Sequence, residues 1–484
     1  MSETKIPHWL TKRATLTPDA SALEFVGGES LTFANLYERS GEFARKLAYL
    51  GVTKGDRVAI LSSNQLEMII AIHALSYLNV VAVMLNTRLT KDELTYQLKA
   101  AQASYLITST YFKAEKSLGF SSTFTYEEVA EAKKAHIALT EEISLDSPFT
   151  MMFTSGTTGS PKAVVHTYGN HWWSAIGSSL NLGLQADDKW LLPLPIFHVG
   201  GFSILIRSVV YGIPAFVMKK YEPDLFFDAI CHKGVTIVSL VTTMLKQLLD
   251  QLHNQSFPSH VRCLLLGGGS VPEPLLQQVE AKKLPLFQSY GMTETSSQIV
   301  TLSATDALRK LGSSGKPLFP AQVSIREADV HGVGEIIVKG PMVMNGYDNN
   351  LIANKESFSN GWFKTGDIGY IDDEGFLYVV ERRTDLIISG GENVYPSEVE
   401  SKLLQLEGAA DVGVFGVENE KWGAVPVACV VRDHKEVSEQ IILQQLQGVL
   451  ASYKIPKQIV FVDALPRNAS NKLMRHRLTS FISQ

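Results

Sequence analysis

The chain has 484 residues, 45% of them hydrophobic and 19% charged, and carries a formal net charge of −5. That length allows two or more domains with ample core, and the mildly acidic balance gives no electrostatic case for nucleic acid or an anionic membrane surface. Its three cysteines, Cys231, Cys263 and Cys429, lie far apart in apolar runs without metal or redox spacing, which points to buried free thiols in a reducing compartment.

The opening MSETKIPHWL lacks the apolar core of a signal peptide, so a cytoplasmic protein is expected. Residues 22–26 read as a strand, and Leu31-Thr32-Phe33 leads into a helix whose buried stripe is Leu36, Phe43 and Leu47. Residues 58–61 form the next strand, after a turn at Lys54-Gly55-Asp56. The longest apolar stretch, 68–85, is broken by His73, Ser76 and Asn79 and reads as a buried helix followed by a strand at 80–85, not as a membrane span. A further strand follows at 105–108. This alternation predicts an α/β fold with a mostly parallel, doubly wound sheet.

The apolar strand 149–153 runs straight into Thr154-Ser155-Gly156-Thr157-Thr158-Gly159-Ser160-Pro161-Lys162. Gly156 and Gly159 let the backbone turn sharply and approach a ligand. The loop's hydroxyls and N–H groups can wrap phosphate oxygens, and Lys162 adds a charge. A polar surface turn would share this composition, but so many donors after a buried strand call for an anion. The Walker loop fails here: Pro161 precedes the lysine and Ala163 follows it, where Gly and Ser or Thr are required.

Further on, Pro195-Ile196-Phe197-His198-Val199-Gly200-Gly201 offers apolar side chains and space, a candidate wall for an acyl group, with His198 either facing that pocket or packed in the core. Arg207 stands in the apolar helix 202–211, where a charge needs a partner: an anionic substrate group or a local carboxylate. A strand at 235–241, a helix at 242–252 and a strand at 261–266 follow. The last ends in Gly267-Gly268-Gly269, which suits a flat group on bare backbone or a plain turn into a helix started by Pro272 and Pro274. Gln288-Ser289-Tyr290-Gly291-Met292-Thr293-Glu294 also follows an apolar strand. There a tyrosine can stack on a base, a threonine can bond phosphate, and a carboxylate can hold Mg²⁺ or merely begin a helix. Short strands between 315 and 380 predict a small β subdomain containing Thr365-Gly366-Asp367. Beyond it come a glycine-rich turn at 387–395 and helices at 396–406 and 438–451, the latter with Ile442, Leu446 and Val449 on one face. Strands at 411–417 and 426–431 complete a small α/β domain, which ends in Pro466-Arg467-Asn468-Ala469-Ser470-Asn471-Lys472.

The loop at 154–162 resembles the phosphate loop of adenylate-forming enzymes: acyl-CoA synthetases, peptide-synthetase adenylation domains and luciferases. The stretches at 267–269, 288–294, 365–367 with Arg382, and 466–472 match further family motifs in order, so the resemblance covers nearly the whole chain. It departs at Ala163 and Glu381, where the family commonly has glycine, and at the hinge position Thr384, more often acidic or lysine. Asn468 and Asn471 stand for the usual Thr and Gly; asparagine tolerates the left-handed backbone that glycine supplies.

The resemblance implies a large domain, residues 1–383, of doubly wound sheets plus the β subdomain, and a mobile α+β lid, residues 384–484. ATP would be held by Thr154 to Gly159, Lys162, Gly267, Gly268, Gly269, Ser289, Tyr290 and Gly291, with Asp367 and Arg382 on the ribose. Glu294 would hold Mg²⁺, with Thr293 beside it. Lys472 would stabilise charge at the α-phosphate, and rotation about Thr384 would bring Ser389, Gly390 and Gly391 in for the CoA step. His198 and Arg207 would face the acid. The expected activity is AMP-forming ligation of a carboxylic acid to CoA, and the wording of 289–302 and 385–396 most resembles ligases for an aromatic keto-dicarboxylate. A ligase for a medium-chain or aryl monocarboxylate stays open, as does a non-catalytic nucleotide sensor, although Lys472 argues against the sensor. No carrier segment follows Lys472, which argues against a self-contained peptide-synthetase module. Expected partners are the acid, ATP and CoA, with no nucleic acid or membrane; self-association is left open.

Overall fold

The computed structural model describes residues 4–482 except 156–160, 254, 268–272, 382–385, 407, 434–436 and 468–472. Its large domain is organised around the helix Leu66–Tyr77, in which every residue except Glu67 is buried. A helix apolar on every side must be covered on every side. Two sheets do this. One apolar cluster joins the helix to Val58, Ile60 and Ala82 of the first sheet and to Leu192, Ala215 and Val217 of the second. The expected break within 68–85 is real, for the strand Val81–Leu85 follows the helix.

The first sheet has seven strands. Pro148–Ser155, Val81–Leu85, Arg57–Leu61, Tyr105–Thr108 and Thr123–Thr125 run parallel, and Pro161–Thr167 and Gly346–Tyr347 add an antiparallel edge. The second sheet has fourteen strands. Its parallel part runs through Leu286–Met292, Cys263–Leu266, Ile237–Leu240, Trp190–Leu192, Ala215–Val217 and Ser21–Phe25.

The short strands between 315 and 380 have their own apolar cluster but are not a separate sheet. They continue the second sheet as antiparallel strands through Ser297–Leu302 and Ser313–Pro317. Gly315 makes the joint: its φ is +101°, and a Cβ there would lie 2.1 Å from the Thr301 carbonyl.

A five-stranded sheet forms the small domain around the long hairpin Ala409–Asn419 and Gly423–Arg432. The boundary expected at 383/384 and the hinge Thr384 lie outside the described residues. The expected helix 438–451 is shorter, Glu439–Leu446. Gln447 turns extended and Gly448 takes a φ of +86°, so Val449 leaves the stripe that Ile442 and Leu446 keep. The helix expected over 396–406 likewise ends at Leu403. Among the described residues no helix is long and apolar enough to cross a membrane.

Four histidines are buried as neutral rings. Burial pushes His8 down to about 3 and His73 and His166 to about 4, and it holds His171 well below the usual value. The unfolded chain takes up these protons near pH 6.5 while the folded one does not. Stability should therefore be unaffected above that pH and fall as the pH drops from about 6.5 towards about 4, by up to about 1.4 kcal/mol per pH unit for each histidine. Urea unfolding midpoints at pH 7.5 and 5 test this; equal midpoints would contradict it.

Candidate active site

The stretch expected to bind phosphate is flanked by two paired strands. Strands Pro148–Ser155 and Pro161–Thr167 pair up to Ser155 opposite Pro161. The loop residues Gly156, Thr157, Thr158 and Gly159 lie outside the described residues. At the stem, Thr154 is buried and lines a cleft between the domains. The Lys162 ammonium stands 5.1 Å from the centre of the Tyr347 ring, a cation–π contact. The Tyr347 hydroxyl donates to Glu294 Oε1 at 2.9 Å. One tyrosine thus ties the loop's lysine to the carboxylate expected to hold Mg²⁺. Glu294 is buried, and its backbone carbonyl accepts from Met344 N at 2.8 Å. Among the described residues no group of three or more His, Cys, Asp or Glu gathers to hold a metal. A single oriented carboxylate fits Mg²⁺ shared with nucleotide phosphates.

Thr293 is fixed from behind. His166 Nε2 lies 2.6 Å from the Thr293 carbonyl, which can only accept, so the ring carries its proton there. Nδ1 must then accept from Thr150 Oγ1 at 3.2 Å, and that hydroxyl accepts from His171 Nε2 at 2.8 Å. This relay connects the hairpin stem to the Thr293–Glu294 turn. Nothing in the sequence pattern marked it, beyond a polar residue in the apolar run before Thr167.

Ser289, Tyr290 and Gly291 share the strand Leu286–Met292. Ser289 Oγ donates to the Leu266 carbonyl at 2.9 Å, beside Gly267; Gly268 and Gly269 lie outside the described residues. A Cβ on Gly291 would sit 2.2 Å from the Ser297 carbonyl, so the tight antiparallel approach there excludes a side chain. The expectation that Tyr290 stacks on a base meets a buried ring, 2% exposed within an apolar cluster. Its hydroxyl, which needs a partner in that setting, donates instead to Asp367 Oδ2 at 2.7 Å. Asp367 is itself not in a turn but on the strand Trp362–Ile371, next to Gly366 at φ +76°. Arg382 and Lys472 lie outside the described residues.

On the acyl side, His198 precedes the helix Val199–Tyr211. A Cβ on Gly201 would fall 2.3 Å from the Pro195 carbonyl, which explains the glycine. Arg207 is 1% exposed. Its guanidinium lies 5.0 Å from the centre of the Trp190 ring and donates to Ser297 Oγ at 3.1 Å, while its Nε has no partner. Burial pushes its pKa down. No carboxylate pairs with it among the described residues, so the local ion pair is not what is found.

The small domain closes the cleft through Glu392, on the strand Glu392–Val394. This carboxylate accepts from Asn86 Nδ2 at 2.9 Å and His198 Nε2 at 3.0 Å, and it pairs with Arg88 at 3.0 Å. Burial alone would raise its pKa, but His198, Arg88 and Asn86 outweigh that and hold it at about 2. Sequence reasoning passed over Glu392 although it stands in the turn singled out for the CoA step. Ser389 is buried beside it, and Gly390 and Gly391 have φ of +58° and +83°. A Cβ on Gly390 would meet Trp422 at 2.7 Å, whereas one on Gly391 would face Val241 of the large domain at 3.9 Å.

Two sheets flanking a buried helix, a phosphate hairpin and a docked small domain define an adenylate-forming enzyme. The model of the AMP-binding enzyme family matches residues 10–348 and that of the AMP-binding enzyme C-terminal domain matches residues 398–472; the chain belongs to this family. It is 54% identical over 480 residues to the 2-succinylbenzoate–CoA ligase of Oceanobacillus iheyensis, covering 99% of this chain and 100% of that protein. It is 49% identical to the ligase of the same name from Bacillus cytotoxicus, covering 99% of each. Among solved structures, the o-succinylbenzoate CoA synthetase of Bacillus subtilis, as a double mutant bound with its product analogue OSB-NCoA, superposes with a TM-score of 0.95 at 46% identity over 99% of both chains. The same enzyme in complex with the acyl-adenylate intermediate OSB-AMP gives 0.78 at 46% identity over 98% of both. The first of these superpositions takes in both domains of the chain together.

Gly391→Leu should therefore leave single-turnover pyrophosphate release near the wild-type rate and block CoA transfer, because a leucine there would be driven into Val241 and the cleft. The two half-reactions measured separately decide it. Loss of the first step instead would place this turn at the nucleotide.

Proposed function

We infer that this chain is an ATP-dependent carboxylate–CoA ligase acting on 2-succinylbenzoate, a reaction the resemblance assigns to menaquinone biosynthesis. The observation that carries the reading is the full-length likeness to ligases of that name, which spans both the nucleotide-binding and the thiol-step portions. In the first step a carboxylate oxygen attacks the α-phosphorus and the bond to pyrophosphate breaks, giving the acyl-adenylate. In the second the CoA sulfur attacks the acyl carbon and AMP leaves. Negative charge gathers at the α-phosphate in the first step, so a positioned cation stabilises it. Lys472 would supply that charge, with Thr154 to Lys162 receiving the departing pyrophosphate. Mg²⁺, when bound at Glu294, would neutralise phosphate charge. Asp367, held by Tyr290, and Arg382 would take the ribose. The buried free thiols Cys263 and Cys429 suit a reducing compartment, and we place the enzyme in the cytoplasm.

Lys472→Ala should slow adenylation by about 10²–10³, the effect of removing one preorganised donor, while sparing thioester formation from supplied acyl-adenylate. Equal damage to both half-reactions would remove the lysine from this role.

Arg207 would read the distal carboxylate of the acid, since it is a buried cation with an unpaired Nε and, among the described residues, no protein carboxylate beside it. In a panel of carboxylic acids with ATP and CoA, 2-succinylbenzoate should give thioester most efficiently. Arg207→Ala should lower its kcat/KM by about 1.5–3 kcal/mol in transition-state binding, the worth of a charge-assisted hydrogen bond, and hurt a monocarboxylate analogue much less. Equal loss on both acids makes Arg207 structural, and a better monocarboxylate substrate overturns the substrate assignment.

A further inference from the structure

On the wall of the same cleft as Thr154, His198 and Thr293, a second buried charge cluster spans the domains. Lys454, on the small domain, is 4% exposed. Its ammonium donates to Glu398 Oε1 at 2.7 Å within its own domain and to Glu93 Oε1 at 2.6 Å on the large one. Glu93 is fixed independently of the small domain. Its other oxygen accepts from Thr90 N at 2.8 Å and Thr90 Oγ1 at 3.0 Å, the capping box of the helix Lys91–Ala100. Glu398 Oε2, by contrast, is buried without a partner. Two carboxylates therefore share one ammonium, and the cluster carries one excess negative charge.

That stoichiometry matters for a joint that must open. Parting an ordinary ion pair between two domains leaves both charges without a partner, and whichever of them stays buried resists the opening. Here separation strands none: Lys454 keeps Glu398, and Glu93 keeps its helix cap. In the closed state the excess charge works against closure, and Glu398 is pushed up by burial despite Lys454 beside it. The contact thus holds the domains together without locking them.

We propose that Lys454 is a positioning residue for the thiol step: it latches the small domain onto Glu93 in the arrangement that puts residues 389–394 in the cleft, and it lets go without an orphaned charge when the domain leaves. This rests on the two-step ligase reading.

The test uses the full-length enzyme and two separate half-reactions, single-turnover pyrophosphate release from ATP and 2-succinylbenzoate, and CoA transfer from purified acyl-adenylate. Lys454→Met and Glu93→Gln should each lower transfer about tenfold or more and leave release within about twofold. Their effects on transfer should be non-additive in the double variant, and Lys454→Arg should restore most of the rate. Glu398→Gln should act in the opposite sense: with the excess charge gone the closed state is favoured, so release slows and transfer does not fall. A residue that merely stabilises the fold would depress both half-reactions together. That result, or unchanged transfer in Lys454→Met, overturns the proposal. Failure of the ligase reading looks different: the wild-type enzyme makes no thioester from 2-succinylbenzoate. Should another acid serve, the same variants measured with it decide the latch separately.

Discussion

Glu392 belongs to the small domain but is satisfied by the large one. A carboxylate buried to 2% exposure is tolerable only with charged or donating partners, and Asn86, Arg88 and His198 all come from across the cleft. The arrangement of the whole molecule depends on this contact. With it go Gly391 facing Val241 and Glu392 in the cleft lined by Thr154, Thr293 and His198, the last at the start of the helix carrying Arg207. The wall proposed for the acyl group and the turn proposed for the thiol step thus meet in one hydrogen bond, from His198 to Glu392.

Behind this contact the groups proposed for the nucleotide are held by fixed partners. Tyr347 ties Lys162 to Glu294, Tyr290 holds Asp367, and His166 holds the Thr293 carbonyl. Glu294, Asp367 and the Thr293 carbonyl each meet a hydrogen-bonding partner, and Lys162 a ring face, which is the preorganisation that developing phosphate charge would require. The neutral histidine relay fits that purpose, since a neutral ring can donate to one partner and accept from another, whereas a charged one donates twice.

Much of this was legible in the sequence. Strand and helix positions followed from apolar periodicity: 105–108 and 242–252 were read to the residue. The phosphate loop, the Thr293–Glu294 turn and the glycine-rich turn near 390 stood out because glycines and hydroxyls cluster after apolar strands. What stayed hidden was pairing across distance. Tyr347 meets Glu294 from 53 residues away and Glu392 meets His198 from 194. Periodicity reports which face of an element is buried but not what lies opposite it. The same limit hid the continuation of the second sheet through Gly315, a matter of strand partners rather than strand content. The early end of the helix Glu439–Leu446 was in principle readable from Gly448, a residue suited to the left-handed backbone it adopts.

The small domain's geometry also bears on why the two chemical steps must alternate. Ser389, beside the glycine turn, pairs with Gly423, opposite Asn419 at one end of the long hairpin. The segments flanking Lys472 are anchored towards the other end: Arg467 forks onto Asp411, and Leu473 packs at the position of Gly413. From Gly413 to Asn419 a strand rises roughly 20 Å at about 3.3 Å per residue. Points that far apart along one paired hairpin cannot both stand at the bond between acyl group and phosphate. With the glycine turn held in the cleft by Glu392, the anchors of the Lys472 segment are held away from it. The group proposed for adenylation and the turn proposed for thiol transfer would then exclude each other mechanically. The enzyme could not present both at once, and the acyl-adenylate would have to be made before the domain turns to admit the thiol.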